Sequence, residues 1–111
     1  MVIARRTLTI LKDGVTHPVE VRVFAPVEDD RCWGCRIQID WPDGVRDSTA
    51  DGHDSVQALL LALDLVGLHL YTSDYHHDGQ LQPLDASWVG YGFPVPYNLR
   101  DALIGEDAEY F

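Results

Sequence analysis

The sequence lacks a long apolar run and contains little cysteine. Its longest uninterrupted apolar stretch, Ala58 to Leu63, is far shorter than the roughly 20 apolar residues of a transmembrane helix. The start, MVIARRTLTI, has no continuous apolar core and no small-residue cleavage site, so no export signal is predicted. Two cysteines without an export signal favour free thiols in a reducing compartment. These absences predict a cytoplasmic protein that makes no membrane contact.

Basic residues are also scarce, because 8 Lys and Arg against 18 Asp and Glu give a formal net charge of −10. Residues 1–46 contain seven bases and seven acids, whereas residues 47–111 contain one base, Arg100, and eleven acids. Direct nucleic-acid binding by a broad basic surface is disfavoured, since phosphate contacts need clustered Lys and Arg. An acidic field of this kind suits a basic protein partner, and it also serves solubility.

The first half of the chain is predicted to form an antiparallel sheet of about four strands, over residues 2–50. TLTIL leads into an Asp-Gly pair at 13–14, which favours a hairpin turn. Apolar and polar residues then alternate in VTHPVEVRVFA and, most regularly, in WGCRIQIDW at 33–41. A Pro-Asp-Gly turn introduces a more polar fourth strand, VRDSTA. We expect a meander with one apolar face and one polar face.

The period of the apolar residues changes in DGHDSVQALLLALDLVGLHLYTS, which predicts the main helix over residues 54–72. Gly67 indicates either a close approach to a strand or fraying. On the face that should meet solvent, Leu61 and Leu68 need a cover, either the C-terminal segment or a second chain in a homodimer. The stripe expected to pack on the sheet consists of Val56, Leu59, Leu60, Leu63, Val66 and Leu70.

The remainder, residues 73–111, is rich in loops and is expected to wrap the sheet and helix. Its GYGFPVPYN stretch has two prolines and two glycines, which argue against a central strand. No internal repeat and no boundary for a second domain is present. The chain is therefore expected to form a single α+β domain, with one main helix packed on one face of the sheet.

A Cys-x-x-Cys motif occurs at Cys32 and Cys35. Residues three apart on a strand are ~10 Å from each other, beyond the reach of a disulfide. A zinc ribbon needs a second cysteine pair, and redox motifs of this spacing precede a helix rather than a strand. The pattern predicts that Cys35 fills the core beside Trp33 and Ile37. No cofactor is predicted from any motif in the chain.

The densest collection of acid–base groups lies in YTSDYHHDG, residues 71–79. Asp74, His76 and His77 can ligate zinc or supply a general base, because imidazole titrates near neutrality. Adjacent histidines on an extended segment point apart, however, and no nucleophile elbow, phosphate loop or H-E-x-x-H motif accompanies them. A solvated loop is favoured, and a small metal-dependent hydrolase or metalloprotein is kept as an alternative.

Aromatic residues are interspersed among the acids of the C-terminal part, at Tyr91, Phe93, Tyr97, Tyr110 and Phe111. Such a mixture is typical of a surface that binds a basic protein, and also of a small protein that closes its core. No catalytic residue is predicted. The predicted partner-binding residues are carboxylates for attraction and rings as apolar anchors: Asp64, Asp74, Asp78, Asp101, Glu106 and Asp107, with Tyr75, Tyr91 and Phe93.

Three stretches together resemble a known group: IARRTLTI, GHDSVQALLLALDLVG and YGFPVPYNLRD. They are similar to a family of small bacterial proteins known as a domain of unknown function, in which a G-x-D-S-x-Q-A-L-x-L-A-L helix follows an antiparallel sheet. The resemblance implies that fold, and it implies no activity and no site residue. A looser likeness in size, charge and layout connects the chain to small acidic immunity proteins, which neutralise a toxin by binding it.

The sequence thus favours a non-enzymatic, immunity-like binding module that presents its acidic C-terminal part to a basic protein. The metalloprotein centred on Asp74, His76 and His77 is the first alternative. The second is an inhibitor that mimics nucleic acid, which requires carboxylates spaced like phosphates along one surface. A homodimer sealed by Leu61 and Leu68 is compatible with each of these functions.

Overall fold

A computed structural model of residues 1–111 shows a five-stranded antiparallel sheet packed against one long helix. The α+β class and the antiparallel sheet predicted from the sequence are confirmed, with one additional short strand. The strands are β1 (Val2–Lys12), β2 (Val15–Phe24), β3 (Val27–Glu28), β4 (Trp33–Trp41) and β5 (Gly44–Gly52). The helices are α1 (Ser55–Tyr71), α2 (Asp74–His77), a 3₁₀ helix (Tyr97–Ala102) and α3 (Gly105–Tyr110).

Turn chemistry and pairing set the order of the strands. Asp13 and Gly14 both have positive φ, 54° and 76°, which is the backbone that a two-residue hairpin loop requires. β2 then pairs with β4, and β4 pairs with β5 on its other side. The short β3 continues the line of β2 along the same edge of β4. The result is a meander in which β1 and β5 are the outer strands.

Alternation along the strands places an apolar row on the inner face of the sheet. Every member of this row is 2% exposed or less: Leu8, Ile10, Val19, Val21, Val23, Cys35, Ile37 and Ile39. Helix α1 covers the β4–β5 part of the inner face. Full burial of one such aliphatic side chain contributes about 1.5–3 kcal/mol, so this row and its cover form the main source of stability.

Helix α1 meets the sheet with smaller residues than the sequence pattern predicted. Ala58 and Ala62 are fully buried, whereas Val56 is 63% exposed and Leu60 is 59% exposed. The close approach at Gly52 explains this, because a Cβ atom on Gly52 would lie 2.3 Å from the backbone nitrogen of Ala58. The predicted inclusion of Val56 and Leu60 in the packed stripe was wrong, since backbone proximity selected the alanine row instead.

The outer face of the sheet carries a set of paired charges. Arg22 donates to both oxygens of Asp40, at 2.9 and 2.6 Å, and its Nε donates to Gln38 at 3.1 Å. Because these opposite charges cancel, the paired residues contribute nothing to the net charge. We call these residues the charge ladder: Arg5 paired with Glu20, Arg22 paired with Glu20 and Asp40, and Arg36 paired with Asp47.

Residues after α1 wrap the β1–β2 part of the sheet. The backbone N–H of Leu11 donates to Gln80 at 2.8 Å and that of Gln82 donates to Thr9 at 2.8 Å, so this segment extends the sheet beyond β1. Farther along, Phe93 and Val95 are 6% and 5% exposed. The C-terminal segment therefore completes the core that α1 leaves open.

The two cysteines are free thiols. Cys35 is fully buried, its Sγ donates to the carbonyl of Phe24 at 3.2 Å, and burial raises the pKa of its thiol. The prediction that Cys35 fills the core is confirmed. Separately, no helix of the protein combines the length and hydropathy needed to cross a membrane.

Candidate binding cleft

A cleft of about 630 Å³ lies beside α1, along the β1–β2 part of the sheet that the helix itself barely contacts. Ligand pockets typically enclose roughly 300–1,000 Å³. Sheet, helix and C-terminal segment each form one wall, so the cleft exists only in the assembled fold. Its lining residues are Ala4, Arg5, Arg6, Val21, Val23, Leu60, Leu63, Asp64, Gly92, Phe93, Pro94 and Phe111.

The mouth of the cleft is apolar. Leu60 is 59% exposed and Phe111 is 38% exposed. Val56 lies one helical turn before Leu60 and is exposed as well, so the apolar surface continues along α1. Covering such surface is favourable by about 25 cal/mol per Å². The cleft and its mouth can therefore hold an apolar group of a ligand.

Three charged residues line the cleft, and two of them already have partners. Arg6 donates to the carbonyl of Gly92 at 2.6 Å, and its guanidinium lies 4.9 Å from the centre of the Phe93 ring. Arg5 pairs with Glu20 in the charge ladder. Asp64 is half-buried and receives no hydrogen bond, and burial raises the pKa of its carboxyl while the charge of Arg100 partly opposes this. Asp64 is thus the charged side chain of the cleft that forms neither a hydrogen bond nor an ion pair, while Arg6 is held by neutral groups.

A buried carboxylate, Asp107, holds the C-terminal wall in place. It is fully buried and accepts hydrogen bonds from the indole N–H of Trp88 at 2.7 Å and from the backbone N–H groups of Tyr91 and Gly92, both at 2.8 Å. The hydroxyl of Tyr71 also donates to it, and burial together with this bond raises the pKa of Tyr71 far above its usual value. Asp107 therefore fixes the segment that contributes Gly92 and Phe93 to the cleft.

The histidine segment forms a single helical turn rather than the solvated loop that the sequence favoured. The hydroxyl of Ser73 caps this turn, α2, by accepting from the N–H of His76 at 3.1 Å. Nδ1 of His76 lies 2.5 Å from the hydroxyl of Tyr91. Burial raises the pKa of Tyr91 to about 12 and lowers the pKa of His76, so a phenol and a neutral imidazole share this hydrogen bond. His76 therefore has a packing role between α2 and Tyr91.

No group of three or more His, Cys, Asp or Glu side chains is arranged to hold a metal ion. The ring centres of His76 and His77 are 5.6 Å apart, and the ring planes are inclined at 62°. His77 is exposed and Asp74 occupies the first turn of α2. The three residues that carry the metalloprotein alternative thus have different environments.

Lowering the pH from about 7 to about 5.5 is expected to reduce the free energy of unfolding through His69 and His76. Burial lowers the pKa of both imidazoles in the folded protein, with the charges of Arg46 and His77 as second causes. As the pH falls through the ordinary histidine pKa of about 6.5, the unfolded chain takes up protons that the folded protein excludes. The equilibrium therefore shifts toward unfolding. Urea unfolding at several pH values measures this slope.

A double variant, His69→Leu with His76→Phe, should flatten the pH dependence in that range. His53→Asn is the control and should keep it, because His53 is exposed. Asp64, whose raised pKa acts in the opposite direction, is present in every protein compared. An unchanged slope in the double variant would assign the pH dependence to other groups.

The residues predicted to bind a partner are distributed over distinct environments. Asp64 and Phe93 line the cleft. Asp74, Asp78 and Asp101 are exposed, and they lie outside the cleft.

The remaining predicted partner-binding residues are engaged within the fold. Tyr75 stacks on Trp41 with ring centres 5.1 Å apart. Glu106 accepts from the backbone of Val89. Tyr91, 2% exposed, and Asp107, fully buried, are beyond the reach of a partner, which corrects the prediction for these two.

The leucines proposed to seal a homodimer are only partly available. Leu61 is 41% exposed and Leu68 is half-buried. Instead, the C-terminal segment crosses α1 at Gly67, where a Cβ atom would lie 1.7 Å from the carbonyl oxygen of Pro94. Sequence reasoning did not identify Arg6 or Leu60 as cleft residues, and no local signal marks Arg6.

Residues 4–95 match the family described as Domain of unknown function (DUF6968). This match confirms the resemblance to a family of uncharacterised domains. Searches among curated proteins and among solved structures found no match. Since the match covers most of the sheet, the helix and the C-terminal segment as far as Val95, the chain belongs to the DUF6968 family.

Proposed function

We propose that the protein is a non-enzymatic binding module that receives a basic protein partner at its cleft. The observation that carries the proposal is an apolar cleft on a protein whose net charge is −10. Setting aside the three acids and three bases of the charge ladder leaves 15 acids and five bases on the rest of the chain. A partner with basic residues around an apolar side chain complements this surface.

The two features have different consequences for binding. Apolar burial in the cleft supplies affinity, since it removes Leu60 and Phe111 from water. The negative field accelerates encounter with a basic partner and disfavours acidic ones. An immunity-like inhibitor would combine them by occupying the basic surface through which its target acts. We place this activity in a reducing cytoplasm, where Cys32 and Cys35 stay free thiols.

Charge also ranks the candidate occupants. Two copies of this chain bring like charges of −10 together, which opposes the homodimer through Leu61 and Leu68. No residue of the cleft favours the two alternative functions, a metalloprotein or a mimic of nucleic acid. A basic protein is therefore the occupant that we expect in the cleft.

A pair of charge-matched variants tests the site. Leu60→Glu places a carboxylate at the mouth of the cleft, and Val45→Glu places one on β5, at a residue that is also 59% exposed. The wild-type protein and Val45→Glu should retain the same basic protein from host lysate at low salt, and Leu60→Glu should retain at least about tenfold less. Quantitative mass spectrometry measures retention. Equal retention by both variants, or retention of an acidic protein, would overturn the proposal.

Association with the purified partner is expected to slow by at least about tenfold when salt rises from about 50 mM to about 500 mM. The reason is that the acids outside the charge ladder attract the partner over distances that salt screens. Stopped-flow fluorescence measures the association rate constant, and the dissociation rate constant should change far less. An association rate that does not depend on salt would remove the electrostatic part of the proposal.

A further inference from the structure

Asp64 is the one charged side chain of the cleft that has no partner. It projects from α1 one residue after Leu63 and four after Leu60, so two apolar cleft residues flank it. Its carboxyl receives neither a hydrogen bond nor an ion pair from the protein, and burial raises its pKa. A carboxylate that loses water without gaining a partner is unfavourable in the empty cleft, and a cation would relieve that cost.

None of the arginines near the cleft forms an ion pair with Asp64. Arg6 is held by the carbonyl of Gly92 and by the Phe93 ring, and Arg5 belongs to the charge ladder. Arg100 lies with its guanidinium 5.3 Å from the centre of the Tyr97 ring and forms no ion pair. Its charge lowers the pKa of Asp64 only in part against burial. An anionic ligand would therefore meet the unpaired carboxylate of Asp64, whereas the guanidinium of Arg6 is held against the carbonyl of Gly92 and the Phe93 ring.

We propose that the cleft recognises a cationic group next to an apolar one, and that Asp64 is the residue that pairs with the cation. In a protein partner this ligand is a Lys or Arg side chain beside a large aliphatic or aromatic side chain. The apolar part packs against Leu60 and Phe111, the exposed apolar residues of the lining, and the cation reaches Asp64. The inference rests on the proposed function, since it names the part of the basic partner that enters the cleft.

The charge of Asp64 then determines specificity more than affinity. A neutral or acidic segment with the same apolar side chain leaves Asp64 desolvated and unpaired, which penalises the wrong partner. A basic segment without a large apolar side chain leaves the cleft unfilled. Both parts of the ligand are thus required, and this separates the site from an acidic patch that attracts any cation.

Small probes test this chemistry without the partner. The probes are 2-phenylethylammonium, 2-phenylethanol and 3-phenylpropanoate, which share a phenyl ring and differ in charge. Each is titrated into the ¹⁵N-labelled protein, and backbone amide shifts of cleft residues such as Ala4, Leu60 and Gly92 are followed. The ammonium probe is expected to bind about fivefold more tightly than the alcohol, and the carboxylate more weakly than either.

Two isosteric variants assign the preference to one residue. Asp64→Asn should equalise the affinities of the ammonium and alcohol probes. Asp101→Asn makes the same change of charge at an exposed residue outside the cleft and should preserve the preference. The inference is overturned by equal binding of ammonium and alcohol to the wild-type protein, by a preference that survives in Asp64→Asn, or by no shifts in the cleft.

The probe experiment and the retention experiment fail independently. If the probes bind as expected but Leu60→Glu retains the partner normally, the cleft has the stated chemistry and the proposed function is wrong. If Leu60→Glu loses the partner but the probes show no ammonium preference, the binding function holds and the assignment to Asp64 is wrong.

Discussion

Alanine in place of Asp107 is expected to lower the free energy of unfolding by about 3–5 kcal/mol, out of a total that is about 5–15 kcal/mol for a domain. The substitution removes the acceptor of four hydrogen bonds, from Tyr71, Trp88, Tyr91 and Gly92. Each buried donor left without an acceptor costs about 1–3 kcal/mol, and relaxation recovers part of the sum. Urea unfolding followed by circular dichroism measures the change.

Two further variants make this test specific. Asp107→Asn keeps the shape but replaces one acceptor oxygen by an NH₂ group that faces donors, so it should lose about 2 kcal/mol. Asp101→Ala removes an exposed carboxylate from the same part of the chain and should leave stability unchanged. A loss below about 1 kcal/mol for Asp107→Ala would contradict the central place of this carboxylate.

Alanine at position 67 is expected to destabilise the protein by about 2–3 kcal/mol, although alanine is the better helix former. The new Cβ atom would lie 1.7 Å from the carbonyl oxygen of Pro94 and 2.8 Å from its carbonyl carbon. Both are backbone atoms, so α1 and the C-terminal segment must move apart. The gain of about 1 kcal/mol in helix propensity is smaller than the cost of that displacement.

The same variant should also disturb the cleft, because Pro94 is part of its lining. Thermal unfolding measures the stability, and amide shifts of cleft residues report the displacement. Leu61→Ala, on the exposed side of the same helix, is the control and should cost less and leave the cleft shifts in place. A stabilised Gly67→Ala protein would show that the close contact with Pro94 does not exist in solution.

Local patterns predicted most of the fold. Alternation in residues 33–41 is a property of one strand, and the predicted strand coincides with β4. The predicted helix over 54–72 differs from α1, Ser55–Tyr71, by one residue at each end. Asp54 is the N-cap, which accepts from the N–H of Gln57, and Thr72 is the C-cap. Alternation and helix capping each depend on residues that are close together in the sequence, so a single sequence is enough to predict them.

Contacts between segments that are distant in the sequence could not be predicted from local patterns. Leucine at 60 is as apolar as leucine at 70, yet the packing of α1 in the fold leaves the first exposed and buries the second. An aspartate near the C-terminus is ordinarily exposed, and only the donors from Trp88 and Tyr91 make the burial of Asp107 favourable. The cleft likewise joins residues 4–6, 60–64, 92–94 and 111, which no local pattern connects.

The position of Asp107 has a consequence for the order in which the protein is assembled during synthesis. Its four donors lie earlier in the chain, at Tyr71, Trp88, Tyr91 and Gly92, so each leaves the ribosome before its acceptor. The sheet and α1 can fold first. At that stage the hydroxyl of Tyr71 lacks its acceptor, Asp107, and the cleft lacks the wall that the C-terminal segment forms. A nascent chain that has not yet released Asp107 and Phe111 therefore has a sheet and a helix but an incomplete cleft. The cleft is therefore complete only after the chain has emerged as far as Phe111.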